Sequence, residues 1–357
     1  MLSVQPIFSL SYFRFKRNKL ARDLKRLFYL SWEDALWDIL SKKDIPLGSY
    51  ILVPEFFCPD VENNIRLHGW KTVSYKLDNK LKVVLADFQE KIAKYKPRTI
   101  VILHPVGIKS NLFTDTNRLG RYLGDALLIE DAVHRVIDPE KLEIISDNHF
   151  IINSLRKVVP LQGAEVFAKC ETLNFKTPAF FQSFTYRAKV NLLWFLMTLF
   201  FTLANYLPEK LSKIFAIVAE KLMLAGYELI GDSLLPSRGG IIEDFLSRRL
   251  NLVKIKNNKK QMFLYYQKML KGLVDTPDIA GTDESKLRGY PVILARGRAE
   301  KILKFVRDRG LRLRLELEDS DWSKLQKIIY LPMGLYMSPK KQKLVADMIN
   351  EALRVNL

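Results

Sequence analysis

The sequence predicts an α/β chain, with a mostly parallel sheet covered by helices and a small α+β unit after it. Three observations carry this. Short apolar runs alternate with helical stretches between Tyr50 and Ala168, as strands joined by crossover helices do. The chain has 357 residues, 48% of them hydrophobic, enough for one large core and a smaller one. After Pro277 the pattern changes to two strands, each followed by a helix.

Residues 1–26 read as a basic arm, in which Arg14, Lys16, Arg17, Lys19, Arg22, Lys25 and Arg26 crowd together. Phe8, Tyr12, Phe13 and Phe15 are interleaved with bases, without a long apolar stretch or a small-residue cleavage site. This is unlike a signal peptide. It suits an arm that packs on the body or touches a membrane.

Residues 27–235 read as the large unit. Strands are expected at Tyr50–Val53, Thr72–Tyr75, Thr99–Leu103, Ala126–Ile129, Phe150–Ile152 and Glu165–Ala168. Helices are expected near Val61–His68, Leu85–Tyr95 and Thr114–Leu123. Each helix separates two strands, which argues for parallel pairing.

Val190 to Pro208 contains no charged residue and has bases on both sides, which makes it a borderline membrane span by length. A span would put the sheet-building half and the rest of the chain on opposite sides of a bilayer. An amphipathic stretch follows, with Leu211, Ile214, Phe215, Val218 and Leu222 on one face. We therefore read residues 190–225 as a helical hairpin broken at Pro208: an ordinary buried pair, a subunit interface, or a hairpin dipped into one leaflet. Residues 236–357 read as a connecting helix, or helix pair, rich in bases, and a small unit. That unit has strands at Tyr290–Leu294 and Lys327–Leu331 and helices at Ala299–Arg309 and Pro339–Leu353. Ser338 before Pro339 starts the last helix, since proline suits the first helical position.

The net charge of +18 favours anionic partners such as phosphorylated substrates or acidic lipid. Nucleic acid is the weaker option, because zinc-finger spacing, RNA-binding aromatics and a separable basic domain are all lacking. Cys58 and Cys170 are too few for a disulfide framework and form no metal-ligand pattern; a reducing cytoplasmic setting follows.

Two residues stand out for chemistry. Asp131, in L-L-I-E-D-A-V-H, and Lys157, in N-S-L-R-K, each follow a strand-like run, at the carboxyl ends where open α/β sheets bind ligands. An amine and an acid so placed are the minimum equipment of a pyridoxal phosphate site. Singly, each has a blander reading: a helix cap for Asp131, a solvated side chain for Lys157. His104 and His134 suit core histidines satisfied by backbone groups, Cys58 a small buried hydrophobe, and Gly107 and Gly163 turn residues.

Four stretches in order, G-S-Y-I-L-V-P-E-F-F-C-P-D-V, I-L-H-P-V-G, L-L-I-E-D-A-V-H and S-L-R-K-V-V-P-L-Q-G-A, resemble the DegT/StrS family of sugar aminotransferases, as does the closing Y-L-P-M-G-L-Y-M-S-P-K-K-Q-K-L-V. The likeness covers about Leu30 to Leu353 and implies a fold-type-I PLP-transferase-like large domain with a small C-terminal domain. It assigns the cofactor bond and proton transfer to Lys157, the pyridine nitrogen to Asp131 and the ring's phenolic oxygen to His134. Cys58 would face the ring, with Ser154 and Asn153 as phosphate ligands. Family members open with S-G-(T/R)-(S/A)-A-L, where glycine and a helix N-terminus receive the phosphate. Here Ser31 begins S-W-E-D-A-L, so Trp32 replaces the glycine and Glu33 and Asp34 put carboxylates where a dianion is expected. Acids at a helix start suit a cap and suit a phosphate poorly; Arg156 and Arg238 are the candidate compensators. The implied activity is transamination of a nucleotide- or lipid-linked keto sugar in cell-surface polysaccharide synthesis, by a cytoplasmic homodimer with peripheral membrane contact. The alternative is a non-catalytic relative that keeps the fold without the cofactor.

Overall fold

The computed structural model describes residues 2–3, 5–172, 184–230 and 235–354. A two-residue strand β1 (Leu2–Ser3) leads to β2 (Leu24–Tyr29), α1 (Trp32–Lys42), β3 (Tyr50–Pro54), α2 (Pro59–Leu67), β4 (Lys71–Tyr75), α3 (Leu85–Tyr95) and β5 (Thr99–Leu103). Then come α4 (Thr116–Leu123), β6 (Leu127–Asp131), β7 (His149–Ile152) and β8 (Ala164–Lys169). The helices α5 (Phe184–Tyr206), α6 (Glu209–Leu229), α7 (Ile241–Ser247) and α8 (Leu252–Met269) follow. The chain closes with β9 (Tyr290–Ala295), α9 (Arg296–Asp308), β10 (Leu311–Arg312), β11 (Gln326–Leu331) and α10 (Pro339–Arg354).

Seven strands form one sheet in the order β2-β8-β7-β6-β5-β3-β4. The five from β7 to β4 are parallel, whereas β8 runs antiparallel to both β7 and β2. All five residues of β5 are buried, as expected of a strand covered on both faces. Successive residues serve opposite cores: Ile51 and Val53 pack with Leu36, Ile39 and Ile65 of α1 and α2, and Leu52 packs with Phe88 and Phe263 on the other side. The second core runs on into the C-terminal part, where β9 and β11 pair antiparallel below α9 and α10.

β2 begins inside the stretch read as a basic arm. Its bases conceal a strand, because Arg26 is buried and ion-paired to Glu165 of β8 and Asp244 of α7. The hairpin forms as α5 and α6. Trp194, Met197 and Phe201 face Ala216, Ala219 and Met223 within it, and the small residues let the helices approach closely. At Gly226 an added Cβ would lie 3.1 Å from the Trp194 indole nitrogen. α5 is long and apolar enough to cross a membrane, with a mean hydropathy of 1.3 and a third of its window buried. Leu192, Phe195, Ile214, Ile217 and Leu224 face outward from the pair.

Candidate active site

One cavity of about 730 Å³, counting its open mouth, lies at the carboxyl ends of β3, β5, β6 and β7. The loops after these strands are free of ladder bonds, which is why open parallel sheets place sites there. Asp131, His134, Cys58, Ser154 and Lys157 all line it, together with Trp32, Glu33, Arg156, Tyr227 and Glu316.

Asp131 ends β6 and is 3% exposed. Its carboxylate accepts from the Val133 amide at 3.1 Å. Burial pushes it up to about 7, with Glu33 adding to the rise and Lys157 opposing it. Lys157 closes a single helical turn after β7, and its Nζ donates to Tyr227 Oη at 3.4 Å. Burial alone would raise that phenol, but Lys157, Arg156 and Arg288 outweigh it and bring Tyr227 below its ordinary value.

His134 Nε2 lies 2.9 Å from Glu316 Oε1, and Glu316 is also ion-paired to Arg288. Although burial works against its charge, Arg288 and His134 hold Glu316 well below the usual carboxylate range. Burial lowers His134, so the ring is neutral, with Nε2 as donor and Nδ1 left without a hydrogen-bond partner. Gly107 makes this packing possible. Its φ is +90°, and a Cβ there would sit 2.5 Å from the His134 carbonyl oxygen, a conformation and a closeness that glycine alone allows. Cys58 precedes α2, where burial pushes its thiol up. Ser154 starts the Lys157 turn without spending its hydroxyl on a cap.

Three expected cofactor ligands do not line the cavity. Asn153 gives its amide to Glu165, donating at 2.8 Å and accepting from the Glu165 amide at 2.8 Å. Ser31 caps α1, with Oγ accepting from the Asp34 amide at 3.0 Å and donating to Asp34 Oδ2 at 2.5 Å. Arg238 is exposed and joined to Tyr29 by a β-bridge. The α1 acids divide: Asp34 turns away, accepting from the Ser237 amide at 2.8 Å, and burial pushes it up to about 7. Glu33 lines the cavity, 8% exposed, and its Oε2 has no hydrogen-bond partner.

A pyridoxal group therefore fits at one end only. Asp131, Lys157 and His134 bring an acid, an amine and an imidazole to the same cavity, the groups a ring and its aldehyde would need. The start of α1 does not fit a phosphate, since Trp32 occupies the approach and the bare Glu33 carboxylate repels a dianion. The opposite wall carries Arg156 and Lys157, neither ion-paired to a carboxylate among the described residues. Tyr227, Arg288 and Glu316 escaped the sequence reading, because each reaches the site through chain contacts that no local pattern signals.

No family model and no curated protein matches this sequence. Solved structures match in fold. The aminotransferase TlmJ from Streptoalloteichus hindustanus is 13% identical, with a TM-score of 0.59 over 94% of this chain and 87% of that one. A DegT DnrJ EryC1 StrS aminotransferase from Brucella abortus is 16% identical, with a TM-score of 0.56 over 91% and 85%. DesV of S. venezuelae, in complex with a ketimine intermediate, is 11% identical, with a TM-score of 0.59 over 94% and 85%. This chain has the fold of these aminotransferases, the fold-type-I architecture that its motifs resemble.

Proposed function

We propose that the protein is an aminotransferase that moves an amino group onto a keto sugar, with Lys157 as the reactive amine. The observation that carries the reading is that Lys157 and Asp131 line one cavity. A pyridoxal ring, when bound, supplies the electron sink for breaking a bond at the amino-bearing carbon. Asp131 holds the ring nitrogen's proton at the end of β6. Lys157 carries a proton to and from the substrate carbon, and Tyr227, 3.4 Å away, is within reach to exchange one with it. Trp32, Phe57, Val61 and Leu103 exclude water from the inner wall.

The acceptor we favour is a nucleotide- or lipid-linked sugar of cell-surface polysaccharide synthesis, with an amino acid such as glutamate as donor. The net charge of +18 supports an anionic substrate, and the outward apolar residues of α5 and α6 support a homodimer or contact with the inner face of a membrane. A second reading is a fold retained after cofactor binding was lost, favoured by Trp32 and Glu33 at the start of α1. Adding pyridoxal phosphate to the purified protein separates the two. An absorption band that saturates with cofactor and vanishes in Lys157→Ala supports the enzyme; its absence at saturating cofactor leaves the second reading.

A further inference from the structure

The cavity is electrically lopsided. At the α1 end stands the Glu33 carboxylate, whose Oε2 has no hydrogen-bond partner. At the hairpin end stands Arg156, whose guanidinium carbon lies 4.7 Å from the Trp194 ring centre and 4.9 Å from that of Tyr227. The two rings meet edge to face at 5.3 Å, so α5 and α6 together clamp the guanidinium. Stacking of this kind fixes direction without neutralising charge. Arg156 Nε is buried and has no hydrogen-bond partner, and the next residue, Lys157, adds a second cation. A held, unneutralised guanidinium beside an amine with no carboxylate partner among the described residues is built for an anion, because a charge-assisted fork recovers what its desolvation costs.

We propose that Arg156, clamped by Trp194 and Tyr227, is the seat of a phosphate-like dianion on the carbonyl ligand that reacts at Lys157, in place of the start of α1. This rests on Lys157 being the carbonyl-reactive amine. The reaction is a condensation: Nζ attacks the carbonyl carbon, and water leaves with the carbonyl oxygen and both amine protons. The hairpin, which carries no candidate residue in the sequence reading, then decides which carbonyl compounds the site accepts.

The test compares pyridoxal 5′-phosphate with pyridoxal, which lacks the phosphate, by borohydride trapping and peptide mass analysis of Lys157. In the wild type the phosphorylated compound half-labels Lys157 at a concentration at least about tenfold lower. In Arg156→Gln the two compounds become equal, while the pyridoxal concentration stays as it was. Glu33→Gln changes the ratio by less than about threefold; a larger gain for the phosphorylated compound places the dianion at α1 and overturns the proposal. So does a wild type without preference, or a preference that survives in Arg156→Gln. If that variant does not fold, inorganic phosphate decides: competition with pyridoxal phosphate alone supports the seat, and competition with neither compound or with both alike overturns it. Labelling by neither compound removes Lys157 as the reactive amine, and this inference with it.

Discussion

Two buried carboxyls make the pH response of the protein readable. Asp131 and Asp34 are each pushed up to about 7 by burial, above their unfolded value near about 4. Between those values the folded chain keeps a proton that the unfolded chain has lost, so stability falls as pH rises from about 4 to about 7, by at most about 1.4 kcal/mol per pH unit for each group, and levels off above. Asp131→Asn is expected to be stabilised relative to the cofactor-free wild type at about pH 8, with the gap closing as the pH falls toward about 4. Parallel melting curves for the two proteins would remove this account. Single residues were legible where chemistry is local. Lys157, Asp131, His134, Cys58 and Ser154 follow strand ends, and topology alone brings such positions together. Ser31 carried its own cap, with an acid three residues on, and that local bond withdraws it from the cavity. Asn153 was misread because its partner, Glu165, lies on the neighbouring strand. Glu316 and Tyr227 were invisible because nothing local distinguishes them from surface residues.

Most elements could be read from period and punctuation, since helix and strand each impose their own spacing of apolar residues. β2 could not, because Lys25 and Arg26 give it the look of a solvated segment and only a tertiary partner explains a buried arginine. The joint between α8 and the C-terminal strands is likewise tertiary. Lys259 is 2% exposed, and its Nζ donates to the carbonyls of Leu287, Arg288 and Met333 at 2.9, 2.7 and 3.0 Å. Lys259→Met fills the space but orphans three buried acceptors. It is expected to cost about 3 kcal/mol in urea unfolding, and a cost under about 1 kcal/mol would show that water replaces the ammonium. In the hairpin the sequence located both helices and the break between them, but not which face turns inward. Arg156 meets Trp194 and Tyr227 on that inner face.

At the scale of the molecule, the outer face of α5 and α6 is apolar and uncovered by the described residues, with Leu192, Phe195, Ile214 and Leu224 each more than half exposed. Apolar patches of this kind mark interaction surfaces. Vesicles containing acidic lipid are expected to carry the wild type upward in flotation, and a variant with serine at Leu192, Phe195, Ile214 and Leu224 is expected to stay behind. Trp194 and Phe201 are buried and unsuitable for such a test. Equal flotation of wild type and variant would leave the face to a second copy of the chain. The sheet itself holds a final consequence. On β6, Asp131 lines the cavity, while Glu130, the residue before it, turns to the other face, accepts from His104 Nε2 at 2.7 Å and lies 3.0 Å from His149 Nε2. A slip of one residue in β6 would exchange the two faces: one way, Glu130 takes the cavity position and Ile129 meets the histidines; the other way, Asp131 meets the histidines and Ala132 takes the cavity position. Either slip leaves the imidazoles or the cavity without a carboxylate. β5, β6 and β7 thus check one another's register, because only the native alignment gives the imidazoles and the cavity an acid each.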